Sequence, residues 1–306
     1  MIVVRSLTTL AAMLLLAVSI GLGEFARADE PLKLLIVDGQ NNHNWKAMTP
    51  VMKAELEKTG RFKVDVVTTP ENNAPAAEWA RFRPDFGKYQ VVLSNYNGQL
   101  WPEEVRVALV KWVGNGGGLV IIHAANNAFP EWPEWNRMIG LGWRDAGYGP
   151  RLTVGAGGQP VKTGKGQGPG AGHGPQHEYP IDIRDDEHPV TKGMPLRWMH
   201  GADELYHGQR GPAEEMRVLA SAYSAQDRRG TGAHEPMIWW IPFGQGKVFT
   251  TVMGHVGGND TRAIRCLGFI AVMNRGCEWA ATGKVTIPLP ENFPTTHEGR
   301  AIPEPK

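Results

Sequence analysis

The sequence predicts an α/β fold of three layers, a mostly parallel open sheet covered by helices on both faces. Two observations carry this. Uncharged runs such as Leu34 to Val37 and Leu119 to Ile122 have the composition of strands buried on both sides. Segments with helical spacing lie between them, and that alternation builds parallel sheets. Right-handed crossovers then put every strand's C-terminal end on one edge, where such sheets bind ligands.

The elements follow in order. Leu32 to Val37 is the first strand, ended by Asp38-Gly39. Ala47 to Lys58 is helical, with Met48, Val51, Met52 and Leu56 on one side and Gly60 past its end, as helix C-termini prefer. Phe62 to Thr68 and Tyr89 to Ser94 are the second and third strands. Pro102 opens a helix that closes at Gly114, the usual placement of proline and glycine. Gly118 to His123 is a fourth strand, apolar up to its last residue, and is expected at the centre of the sheet. From Gly155 to Gln176 the chain is rich in glycine and has little apolar surface to bury; it reads as a flexible insertion able to serve as a lid. It is not a phosphate-binding P-loop, because Gly164-Lys165 is followed by Gly166 and the position five before Gly164 is Gln159. Strands resume at Tyr179–Ile183, Arg217–Ala222, Pro236–Ile241 and Lys247–Met253, and a helix runs from about Thr261 to Asn274. Residues 288–306, with five prolines, read as an extended tail.

The N-terminus reads as an address. Arg5, the uncharged stretch from Leu7 to Leu22 and Ala26-Arg27-Ala28 match a secretory signal peptide with a small-x-small cleavage site. The expectation is a leader over residues 1–28, a periplasmic or secreted mature protein from about Asp29, and one α/β domain over 29–287. No later segment is long and apolar enough for stable insertion in a membrane. Without the leader, basic and acidic residues balance at 30 each, a poor footing for nucleic acid, which needs a basic face. A small neutral molecule such as a carbohydrate suits this balance better. Export permits a disulfide between Cys266 and Cys277, while the apolar helical pattern around Cys266 reads as core.

Histidine placement points to chemistry. His43 follows the first strand, His123 ends the fourth, and His255 follows the late strand ending at Met253. A parallel sheet brings the three to one rim, where neutral imidazoles can ligate a metal or move protons. His173, His177, His234 and His297 read as surface residues. A second group comprises His188, His200, Asp203-Glu204, Tyr206 and His207; a carboxylate here could be a metal ligand or a general base. The 11 tryptophans suit either sugar stacking or core filling. No Gly-x-Ser-x-Gly elbow and no Gly-x-Gly-x-x-Gly fingerprint after the first strand occur, so no nucleotide cofactor is expected.

These blocks, taken in order, resemble the ThuA-like (trehalose utilisation) family. The carriers are His43-x-Trp45, Gly116-Gly117-Gly118-Leu119-Val120-x-x-His123-Ala124-Ala125, His188-Pro189-Val190-Thr191, Asp203-Glu204-x-Tyr206, Pro236-x-x-Trp239, Gly246-x-Val248-Phe249, Gly254-His255 and Trp279-Ala280. Asn44 stands where the family often has aspartate. The resemblance implies an open sheet of the flavodoxin-like kind, similar to class I glutamine amidotransferases. It puts His123 at the place of their nucleophilic cysteine and His255 at that of their base, which removes the thiolate route to amide hydrolysis. It further implies an enzyme acting on 3-keto-glycosides by acid/base or metal-assisted elimination or hydrolysis. His123, His255 and Glu204 would be catalytic, Trp45, Asn126, Asp203 and Tyr206 would bind substrate, and His43, His123 and His255 would hold a divalent metal such as zinc. A carbohydrate-binding or scaffold domain without catalysis is the alternative.

Overall fold

The computed structural model describes residues 30–304, so the expected leader over 1–28 lies outside the described residues. The strands are β1 Leu32–Asp38, β2 Phe62–Thr68, β3 Val91–Ser94, β4 Gly118–Ile122, β5 Arg151–Val154, β6 Pro160–Thr163, β7 Gly172–His173, β8 His177–Ile183, β9 Arg197–Asp203, β10 Tyr206–His207, β11 Arg217–Ser224, β12 Ala233–Phe243 and β13 Gly246–Thr251. The helices are α1 Trp45–Lys58, α2 Ala76–Trp79, α3 Glu103–Gly114, α4 Pro133–Ile139, α5 Arg262–Arg265 and α6 Leu267–Thr282.

The main sheet runs β2-β1-β3-β4-β13-β12-β11-β8-β9. From β2 to β13 every pairing is parallel. Beyond β13 the sheet continues as an antiparallel arm. β4 sits inside the parallel half between β3 and β13, as its apolar run requires.

Alternation along the parallel strands sends side chains to two separate cores. Leu34, Ile36, Val120, Ile122 and Phe249 join the core that α1 and α6 cover. Leu35, Val37, Leu119, Ile121 and Val248 join the one formed with α3 and α4. These are the three layers read from the sequence. Among the described residues no helix is long and apolar enough to cross a membrane.

Three segments differ in detail from the sequence reading. The helix expected from Thr261 breaks at Cys266, whose φ of −58° and ψ of 126° are extended. The returning tail explains the break: Leu267 N donates to Arg300 O at 2.7 Å and Ile302 N to Arg265 O at 2.9 Å. α6 then continues to Thr282, where Gly283 closes it at φ 75°, a value that suits glycine. Cys266 and Cys277 are both buried and free.

The second difference is the Gly-rich span. β6 pairs with β5, and β7 with β10. The Arg210 side chain, fully buried, donates to the carbonyls of Gly149 (3.3 Å), Gly164 (3.3 Å), Gln167 (2.6 Å) and Pro169 (3.0 Å). A guanidinium has five fixed donors, so it can hold a segment that lacks apolar anchors. Glycine here permits close approach: a Cβ on Gly174 would lie 1.9 Å from Arg228 O.

The third is the set of elements the sequence reading left unassigned, among them α2, α4, β5, β9 and β10. β9 and β10 bracket Asp203, Glu204 and Tyr206 and bring them under the parallel half's rim.

Candidate functional site

The rim residues converge as expected. β4 ends at Ile122, and His123 follows with φ of 46°, a left-handed value that costs a non-glycine residue about 1–2 kcal/mol. Such strain persists only where surrounding structure holds it. Here His123 Nδ1 lies 2.7 Å from Val252 O. A carbonyl only accepts, so Nδ1 carries the proton and Nε2 presents its lone pair to the site. Tyr206 Oη sits 3.1 Å from that Nε2 and donates to it.

His43 and His255 complete the imidazole cluster. The His43 ring centroid is 4.7 Å from that of His123 and 4.6 Å from that of His255. His43 Nε2 also lies 3.4 Å from Tyr206 Oη. His123 is fully buried, whereas His43 is half-buried. Burial, reinforced by the neighbouring His123 and His255, pushes His43 down to about 2. Burial likewise lowers His123 to about 4 and shifts His255 downward. The cluster is therefore neutral at ordinary pH, the state needed to ligate a metal or accept a proton.

Glu204 is the shared partner. Its Oε1 lies 3.2 Å from His255 Nε2 and 3.4 Å from His173 Nε2, and its Oε2 lies 3.8 Å from His123 Nε2. Burial raises it to about 7, where a carboxyl can give or take a proton near neutral pH.

Asp203 is placed differently from Glu204. It is fully buried, and its two oxygens accept from Glu204 N (2.6 Å), Gly254 N (2.7 Å), His255 N (3.1 Å) and His200 Nε2 (2.8 Å). Burial alone would raise it, yet the His200 bond and charge hold it down at about 2. Asp203 thus ties β9 to the loop after β13 and sets the backbone of both Glu204 and His255. Asn126 is also fully buried, with its amide on the Gln209 side chain. Neither offers surface to a substrate. Tyr206 reaches the cluster, and Trp45 stands at the start of α1 beside a groove next to it.

Sequence reasoning missed His173 and Gln176. His173 reads as a surface residue, but it contacts Glu204, and its Nδ1 donates to Gly174 O at 2.7 Å. Gln176 contacts His255 Nδ1 through its amide nitrogen. Both come from the Gly-rich span. The available signal was titratable and amide side chains within a stretch whose glycines permit close backbone packing.

Among the described residues, the set that could hold a divalent metal is His43, His123 and Glu204, with ligand atoms all within 4.8 Å of one another. This differs from the all-histidine trio of the sequence reading, since Glu204 stands in for His255. Two imidazoles and a carboxylate are a common donor set for zinc and related ions. The Val252 carbonyl on His123 Nδ1 is the outer partner that ligating histidines usually have.

Comparison with known proteins bears on the fold and the family. No curated protein matches the chain. A solved ThuA-like protein from Parabacteroides merdae is 44% identical, with a TM-score of 0.84 over 89% of this chain and 98% of that one. A second from Bacteroides uniformis is 19% identical, with a TM-score of 0.56 over 85% of this chain and 95% of that one, and so shares the fold. The family model for ThuA, described as trehalose utilisation, matches residues 33–280. The chain therefore belongs to the ThuA family.

Proposed function

We propose that this protein is an exported sugar-metabolism enzyme that cleaves 3-keto-glycosides by elimination or hydrolysis. One observation carries the reading: a carboxyl raised to about 7 stands against several imidazoles, with His255 Nε2 at 3.2 Å and His173 Nε2 at 3.4 Å. The two cysteines are buried elsewhere and supply no nucleophile here. The site is built for proton transfer.

The chemistry fits such a substrate. A ketone at C3 acidifies the proton on C2. Glu204 or His255 takes that proton, and the electron pair forms the enolate. The pair then returns to expel the C1 oxygen, which leaves with a proton supplied from the cluster. The product is an unsaturated ketone; addition of water at C1 completes a net hydrolysis. Tyr206, whose hydroxyl lies 3.1 Å from His123 Nε2, is placed to donate to developing enolate charge. A divalent ion on His43, His123 and Glu204 would add Lewis acidity, leaving His255 as the base.

The test is turnover of 3-keto-glycosides by purified protein, with metal content measured and with Zn, Mn, Ni or Co added. Formation of the unsaturated ketone or of free 3-keto-sugar supports the reading. Absence of turnover under every metal condition overturns it in favour of a carbohydrate-binding domain without catalysis.

A further inference from the structure

A groove that reaches the histidine cluster through Asn42, beside His43, has no part in the proton chemistry above. Its volume is about 560 Å³, within the usual range of small-molecule sites. Three loops line it: the one after β1 supplies Asn42 and leads into Trp45 at the start of α1, the one after β2 supplies Glu71 and Asn72, and the one after β3 supplies Asn97 and Gln99. The sheet order β2-β1-β3 makes this the point where the chain reverses its direction of winding. Open α/β sheets bind ligands in the crevice at such a point.

The lining is built before any ligand arrives. Gln40 donates to Pro70 O at 2.8 Å and accepts from Gln99 N at 2.9 Å. Asn97 Nδ2 donates to Asn42 Oδ1 at 2.6 Å, and Asn42 Nδ2 contacts His43 Nε2 at 3.1 Å. Amides thus join the three loops to one another and join the groove to the cluster. Among the described residues, the Glu71 carboxylate and the Asn72 amide have no intramolecular partner, and both are exposed.

The chemistry of the lining selects a ligand class. Planar amides both donate and accept, as vicinal hydroxyls do. One indole, Trp45, offers a face for a pyranose ring. The only formal charge is Glu71, and no lysine or arginine lines the groove. Lys46 Nζ lies 5.4 Å from the Trp45 ring centroid but does not line the groove, where a phosphorylated ligand would meet the Glu71 carboxylate.

We infer that this groove binds a neutral pyranose ring and is the subsite for the leaving half of a glycoside cleaved at the histidine cluster. Its service as a leaving-group subsite rests on the function proposed above; its binding of a neutral sugar ring does not.

The experiment is an NMR titration of the mature protein, following the indole N–H of Trp45, assigned by its loss in Trp45→Phe. Trehalose, a neutral disaccharide, should shift this resonance saturably at millimolar concentration. Glu71→Gln and Asn97→Ala, both at solvent-facing loop positions and checked for unchanged melting, should each weaken the apparent affinity at least fivefold. A Trp45 resonance that stays still with trehalose overturns the inference, as does one that moves with inorganic phosphate instead. The two readings fail separately. Protein that turns over 3-keto-glycosides while Trp45 ignores trehalose refutes the subsite alone. Protein that binds trehalose at Trp45 but turns over no 3-keto-glycoside refutes the enzyme and the leaving-group role, and leaves the sugar binding standing.

Discussion

The parallel half of the sheet and its antiparallel arm furnish the site in opposite ways. The parallel half supplies His123 from the residue after β4, and His43 and His255 from the short loops after β1 and β13. The arm supplies Glu204 from just after β9, while Tyr206 comes from β10, which pairs with β7 in a separate two-stranded sheet, and His173 and Gln176 come from the Gly-rich span. Those positions depend on polar ties such as the Arg210 bonds to Gln167 O (2.6 Å) and Pro169 O (3.0 Å). The first set is placed by the sheet topology, with the His255 backbone also held by Asp203 of β9. The second is held by buried polar ties together with the pairings of β6 and β7.

The largest effect should come from the strand-end set. His123→Ala removes a ring whose Nε2 faces both Tyr206 and Glu204, and turnover should fall at least 10³-fold, on the scale of losing a catalytic acid/base group. It also leaves the Val252 carbonyl without its donor, at about 1–3 kcal/mol of stability. A melting scan beside the assay separates the two losses. An active variant would show that the strand-end set is not central.

Glu204→Gln keeps the shape and removes the ionisable group. The rate should drop about 10²–10⁴-fold. Any inflection near pH 7 in the rate profile, expected from the raised Glu204 carboxyl, should vanish from the residual activity. Persistence of that inflection would assign it to another group.

Arg210→Met tests the ties alone, because Arg210 touches none of the cluster. Hydrogen exchange over residues 164–170 should accelerate, and kcat should fall about tenfold through loss of the ordered His173 and Gln176, a misplacement effect. Unchanged exchange there would mean that strand pairing at β6 and β7 suffices to hold the span.

The smallest effect concerns pH and stability, measured with a chelator present. His43 has a folded value lowered to about 2 and His123 to about 4, against 6.5 unfolded. Groups lowered on folding stabilise fully above pH 6.5 and lose that contribution as pH falls, because the unfolded chain binds the protons first. His43→Gln should therefore lose less melting temperature between pH 7.5 and 5.5 than the parent protein. An equal loss in both would show that His43 is not held neutral.

The sequence made the parallel half legible because buried strands write themselves as uncharged runs. β2 begins and ends where the alternation from Phe62 to Thr68 places it, and the three rim histidines meet because each follows such a strand. The arm was less legible. β9 and β10 carry His200, Asp203, Tyr206 and His207, whose burial rests on partners distant in sequence. Asp203 and Glu204 are neighbours with opposite fates: the first is sealed among backbone donors, while the second faces the cluster. No local pattern distinguishes two adjacent acids. The glycines of the span from 155 to 176 give composition without geometry, so a segment held by Arg210 and by the pairings of β6 and β7 reads as a free loop.

The place of β13 has a consequence for how the chain folds. Made from residues 246–251, it lies between β4 and β12 and is the one strand that joins the parallel half to the arm. Until it is synthesised, β4 remains an open edge, and the arm that carries Glu204 has no parallel neighbour. Pairing β4 with β13 closes a loop of more than a hundred residues, the kind of long-range contact that slows folding and leaves strand edges exposed to association. Chains cut before residue 246 should therefore aggregate through β4 rather than persist as a smaller active domain.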